Sequence, residues 1–143
     1  MRVLGIDPGF GRMGIAVVEK RTGKREEVLF SDCITTSPKD AFPSRLKKVV
    51  DEARAAIEKW KPDAMALETL LVSKNQKTAM HVAETRGALL YVAETLGIPS
   101  YEYAPPEIKL AAGGYGRADK KGVENMVRML VSFPKEKVLD DEV

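Results

Sequence analysis

The sequence predicts an α/β fold built on a five-stranded mixed sheet with helices on both faces. Three observations carry that prediction. Short apolar runs of strand length recur along the chain, and the first three follow one another through tight, glycine-marked turns. Two longer segments then repeat apolar residues every three to four positions, as amphipathic helices do. Two further short runs sit after those helices, so strands and helices alternate through the second half.

Arg2 to Asp7 reads as a buried strand, and Arg12 to Glu19, with Met13, Ile15 and Val17 alternating, as its partner across the turn at Gly9 and Gly11. After the turn Arg21-Thr22-Gly23-Lys24, Val28, Phe30, Asp32 and Ile34 alternate with Leu29, Ser31 and Cys33 in a third strand, which makes an antiparallel meander. Pro43 suits the first turn of a helix running to about Trp60, because its missing amide proton is not needed there. Leu46, Val49, Val50, Ala53, Ile57 and Trp60 give that helix one buried face, and Lys61-Pro62-Asp63 stops it. Ala64 to Glu68 is the fourth strand. A helix from about Thr78 to Leu96 is apolar on more than one face, which makes it central or part of a subunit contact, with Leu89 and Leu90 as the contact candidates. Gly97 ends it, and Ser100 to Tyr103 is the fifth strand. A short helix from Pro105 to Ala112, the loop Gly113-Gly114-Tyr115-Gly116 and a helix from about Asp119 to Ser132, with Val123, Met126, Val127 and Leu130 inward, complete the chain. Lys135 to Val143 reads as the start of a helix cut short.

The 143 residues suit one domain spanning 1–143, and the formal net charge of +2, from 23 Lys and Arg against 21 Asp and Glu, excludes a global basic field for nucleic acid. Any basic surface is local. The single Cys33 excludes an intramolecular disulfide and suits a reducing compartment, where it reads as an inert strand residue. No signal segment opens the chain and no apolar run approaches the roughly 20 residues of a membrane span. The expectation is a cytoplasmic protein.

Two of the strands finish in a carboxylate, Gly5-Ile6-Asp7-Pro8-Gly9 and Ala66-Leu67-Glu68. Ligands of open α/β sheets gather outside the carboxyl ends of parallel strands, so Asp7 and Glu68 share one spot if their strands are neighbours. With no His or Cys beside them, two carboxylates point to a divalent metal held by hard oxygen ligands. Taken singly, each has a plainer reading. An isolated Asp-Pro-Gly is more often a turn whose Asp bonds its own backbone, and a lone Glu is more often a solvated strand end. Lys109 and Lys120 alone would be surface charges, His81 a surface residue, and Trp60 a packing residue.

Three antiparallel strands, a helix, a strand, a helix, a strand and further helices is the order of the ribonuclease-H-like fold, in which strands four and five lie parallel to strand one. More specific are Leu4-Gly5-Ile6-Asp7-Pro8-Gly9, Pro43-Ser44-Arg45-Leu46, Leu67-Glu68, Lys74-Asn75, Ala83-Glu84-Thr85-Arg86-Gly87, Glu102-Tyr103-Ala104, Ile108-Lys109 and Gly116-Arg117-Ala118-Asp119-Lys120-Lys121. In order and spacing, essentially from end to end, these resemble the RuvC family of bacterial Holliday-junction resolvases.

The resemblance implies a homodimeric endonuclease that binds a four-way DNA junction and nicks two strands of like polarity symmetrically during recombination and repair. It also implies Mg²⁺, with Mn²⁺ able to substitute, and cooperation with the RuvA-RuvB branch-migration complex. Two ions about 3.5 to 4 Å apart can serve both ends of an in-line displacement at phosphorus. By motif position Asp7 and Glu68 are metal ligands, Asp141 within Asp140-Asp141-Glu142-Val143 is the third, and the sequence stops one residue before the fourth. Lys109 and Lys120 match lysines beside the scissile phosphate. Arg117, Lys121, Lys74, Lys77 and Arg86 extend a basic path along DNA, and Leu71 stands where the family carries an aromatic residue that stacks at the junction centre. Two rival classes remain open at this point. A non-catalytic resolvase-like protein that binds branched nucleic acid fits the missing fourth acid, and the Gly-Ile-Asp-Pro-Gly hairpin also resembles the phosphate loop of actin-like ATPases and sugar kinases, which need a second domain.

Overall fold

In the computed structural model, which describes residues 1–69, 75–113 and 119–133, the elements are β1 (Arg2–Asp7), β2 (Arg12–Glu19), β3 (Glu26–Thr35), α1 (Phe42–Trp60), β4 (Ala64–Glu68), α2 (Gln76–Thr95), β5 (Ser100–Tyr103), α3 (Pro105–Gly113), α4 (Lys120–Leu130) and β6 (Val131–Ser132). They form a six-stranded sheet in the order β5-β4-β1-β2-β3-β6. The meander β1-β2-β3 is antiparallel, while β4 is parallel to β1 and β5 parallel to β4. This is the predicted mixed sheet with one strand more. No helix among the described residues is long and apolar enough to cross a membrane.

Register follows from the two-residue repeat of the strands. Leu4 and Ile6 lie opposite Val17 and Ile15 on one side and Met65 and Leu67 on the other, so all six side chains fall on one face. Helices α1 and α2 cover that face with Val49, Ala53, Ile57, Leu89, Val92 and Ala93, and together these residues make one buried cluster. Each large aliphatic side chain sealed there contributes about 1.5–3 kcal/mol. Helix α1 stops at Lys61, whose left-handed φ of 51° turns its amide back onto the Ile57 carbonyl before Pro62 forbids another turn. Asn75 begins α2 by accepting the Thr78 amide at 3.2 Å.

The opposite face is furnished with small residues. Gly5, Gly14, Ala16 and Ala66 floor a groove of about 360 Å³ that is bordered by Tyr103 and by Ile108 of α3 and leads to Asp7 and Glu68.

Four local expectations are corrected. The last described helix ends at Leu130 instead of Ser132, because Val131 and Ser132 turn into β6 and pair in parallel with Glu26 and Glu27 of β3. Arg25 fastens that end by donating to the Arg128 carbonyl at 2.9 Å and to the Met129 carbonyl, and Leu130, expected inward, is exposed. His81 is not a free surface residue: its ring stacks on Phe42 at 3.7 Å with Phe10 edge-on at 5.2 Å. Leu89 is 1% exposed and belongs to the chain's own core, so it is no subunit contact, and Leu90 packs against the same core. Trp60 packs as expected, stacked on Phe30.

Candidate active site

Because Ile6 and Leu67 are register partners on parallel neighbours, the residues that follow them end their strands side by side. The Asp7 and Glu68 carboxyl groups come close enough that each feels the other's charge. Burial, first, and then the closeness and negative charge of Asp7 push the Glu68 carboxyl up to about 7, while the ammonium of Lys109 on α3 pulls it down. A carboxylate pair of this kind is electrostatically unsatisfied at neutral pH.

The turn after Asp7 is built around a backbone crossing. A Cβ on Gly9 would sit 2.0 Å from the Arg12 carbonyl oxygen, so only glycine lets the chain reverse there. Gly11 leaves room for the Arg45 guanidinium, which would lie 2.8 Å from a Cβ at that position. Arg45 donates from Nε to Thr36 Oγ1 at 2.8 Å and stacks over the Phe10 ring, and Thr36 Oγ1 donates to the Phe10 carbonyl at 2.6 Å. These contacts tie the turn beside Asp7 to α1 and to the residue that follows β3. The sequence showed Arg45 only as part of a motif, with no sign of this bridge.

Arg86 is placed otherwise than a phosphate contact requires. Its side chain is 16% exposed and bridges two strands, donating from Nε to the Glu68 carbonyl at 3.1 Å and pairing through Nη2 with Glu102 of β5. It holds the end of β4, and hence Glu68, in place. Lys77 is exposed at the start of α2, and Lys120 and Lys121 are exposed at the start of α4, behind Asp119, which accepts the Gly122 amide at 2.7 Å. Leu71, Lys74, Arg117 and Asp141 lie outside the described residues. Cys33, read as inert, accepts a hydrogen bond from Arg12 Nε at 3.2 Å.

The donor set fits a divalent cation. Two hard oxygen ligands forced together beside a single ammonium offer the charge and the chemistry that such an ion neutralises. Among the described residues no third His, Cys, Asp or Glu joins them.

The sequence profile of the crossover junction endodeoxyribonuclease RuvC family matches residues 3–142. The proteins of that name from Petrotoga mobilis and Thermotoga petrophila are 42% and 44% identical over 141 and 132 residues, covering 99% and 91% of this chain and 86% and 79% of theirs. Among solved structures, Thermus thermophilus RuvC in complex with a Holliday junction substrate superposes with a TM-score of 0.89 at 28% identity, over 99% of this chain and 86% of that one. The yeast mitochondrial Holliday junction resolvase Ydc2, at 14% identity and a TM-score of 0.67 over 92% of this chain and 65% of that one, shares the fold. A ROK hexokinase from Thermus thermophilus likewise shows only shared fold, at 18% identity and a TM-score of 0.51 over 78% of this chain and 38% of that one. With neighbouring strand ends delivering Asp7 and Glu68 to one point and a match running through nearly every residue, this chain belongs to the crossover junction endodeoxyribonuclease RuvC family.

Proposed function

We propose that this chain is a metal-dependent endonuclease that resolves Holliday junctions, hydrolysing one phosphodiester bond in each of two like-polarity strands. The observation that carries the reading is the Asp7–Glu68 pair, two carboxyl groups at adjacent parallel strand ends whose mutual repulsion a cation relieves. The metal is Mg²⁺, with Mn²⁺ able to replace it and two ions per site. Asp7 and Glu68 hold it, and Asp141 joins them by its place in the family pattern. When bound, such ions lower the pKa of an attacking water and stabilise the leaving oxygen.

The chain's own residues do the rest. Arg86 keeps the Glu68 backbone fixed through its carbonyl, and the Gly9 turn with Arg45 keeps the Asp7 end fixed. Lys109, whose charge already reaches Glu68, sits where an ammonium can hold the phosphate to be cut and offset the charge that develops on it. Lys120 acts beside it, and Lys74, Lys77, Arg117 and Lys121 lead the DNA backbone in, with Leu71 as an apolar wedge at the junction centre.

Two symmetric cuts call for a two-fold dimer. The outer stripe of α2, with Ala83 and Gly87 between Met80 and Tyr91, supplies the contact face. Met80 and Tyr91 are 63% and 71% exposed, large apolar side chains flanking residues small enough for a second helix to approach.

The test is a labelled synthetic four-way junction and a linear duplex of the same sequence, each incubated with Mg²⁺ and the wild-type chain or Asp7→Asn. Paired symmetric nicks confined to the junction and absent with the variant support the reading. Binding without cleavage, in Mg²⁺ or Mn²⁺, overturns it in favour of a binding-only role.

A further inference from the structure

A second cavity, of about 310 Å³, opens between the Phe10 turn, the start of α1 and the start of α2, and the catalytic pair does not use it. It lies on the same edge of the sheet as that pair, since Phe10 follows Asp7 in the turn and α2 follows Glu68 in the chain. Phe10 and Phe42 wall it. Arg45, Lys77, Thr78 and His81 supply its polar groups, with Asp40 on its rim.

The state of those groups is informative. Arg45 is held by one hydrogen bond from Nε and by the Phe10 ring, and among the described residues its terminal guanidinium nitrogens have no acceptor. Lys77 has no ion pair among the described residues. His81 is fixed between two phenylalanine rings, its Nδ1 sealed from solvent without a hydrogen-bond partner among the described residues and 3.8 Å from the Glu84 carboxylate. The Thr78 amide is taken by Asn75, which leaves the hydroxyl. Two cations from different helices, against the single carboxylate of Asp40, thus converge on an aromatic-walled space. A guanidinium immobilised before binding loses little freedom on contact, and apolar walls strengthen its pull on an anion.

We propose that this cavity is a second phosphate subsite, separate from the cleavage site, in which Arg45 and Lys77 hold a non-scissile phosphate of the DNA backbone. It rests on the reading of the chain as a DNA-junction nuclease. Arg45 makes the contact with its fork and Lys77 with its point charge. The same arginine stiffens the turn that carries Asp7, so seating the phosphate sets the position of the strand relative to the catalytic carboxylates.

The test measures affinity of the metal-free protein for a labelled four-way junction over a salt series, for wild type, Lys77→Ala and Arg45→Gln, with thermal unfolding to show that the variants fold. Lys77→Ala should weaken binding about 3- to 10-fold and reduce the slope of log affinity against log salt by about one. Junctions with a single neutral methylphosphonate, moved step by step along one strand, locate the contact. One position should weaken wild type and leave Lys77→Ala unaffected. Equal slopes, or equal losses at every position in both proteins, overturn the subsite while the nuclease reading stands. Protection of wild type by inorganic phosphate, together with an unaltered junction affinity in Lys77→Ala, assigns the cavity to free phosphate and overturns the DNA contact. A wild type that fails to nick the same junction in Mg²⁺ or Mn²⁺ overturns the nuclease reading itself, and with it the subsite as part of a cleavage complex.

Discussion

Replacing Asp7 by asparagine should make the metal-free protein more stable at pH 8 and leave it little changed at pH 5. Asparagine keeps the size of the side chain and removes the charge that faces Glu68. Glu68 titrates at about 7 against an ordinary 4.5, with burial the largest cause and the closeness and charge of Asp7 next. The native state therefore holds that proton more tightly than the unfolded chain does. This group's contribution to stability is intact below about 4.5, declines as pH rises toward about 7, and stays at its lower level above. Taken whole, the gap corresponds to about 3 kcal/mol. Glu68 is partly exposed, and solvent screening reduces the figure to about 1–2 kcal/mol. Burial persists in the variant, so relief of the Asp7 share is worth about 1 kcal/mol. Urea unfolding in EDTA, followed by the fluorescence of Trp60, the one tryptophan in the chain, measures it. The stability difference between variant and wild type should be about 1 kcal/mol more favourable to the variant at pH 8 than at pH 5. Equal differences at the two pH values would refute the electrostatic argument. Added Mg²⁺ should reverse the order at pH 8, because only the wild type keeps both ligands and gains fully from binding.

Lys109→Ala removes the one group among the described residues that lowers the Glu68 pKa, so the rising limb of the pH–nicking profile should move to higher pH, and nicking at neutral pH should fall at least tenfold. A profile that keeps its midpoint would separate Lys109 from Glu68. Gly9→Ala drives a methyl onto the Arg12 carbonyl and should cost about 2 kcal/mol or more in urea unfolding, whereas Gly5→Ala, whose Cβ would meet nothing closer than 3.9 Å, should cost far less. Tyr91→Glu should give folded monomers in sedimentation, while Leu89→Glu should fail to fold; a Tyr91→Glu protein that still sediments as a dimer would remove the α2 stripe as the contact.

Much of this was legible in the sequence because it depends on short-range pattern. The apolar run Arg2 to Asp7 read as a buried strand, alternation placed Met13, Ile15 and Val17 inward, and the strand-end positions of Asp7 and Glu68 could be read before any partner was known. What failed was longer in range. Helix α2 is apolar on two faces, one packed inside and one exposed, and periodicity alone does not say which is which; Leu89 and Leu90 were thus mistaken for the outside. The stack of His81 on Phe42 and the bridge from Arg86 to Glu102 join residues from different elements, and neither residue's neighbours in sequence announce it. Strand β6 is two residues long, too short to show an alternation.

The pairing of Glu26 with Val131 joins an early strand to one of the last described residues. The hairpins of β1, β2 and β3 close over short loops, and β4 needs only the α1 crossover, so Asp7 and Glu68 are brought together by contacts much closer in sequence than those that dock α4 and β6. Among the described strand pairings, that of β6 with β3 spans the most chain, so it is the one whose closure costs the most chain entropy.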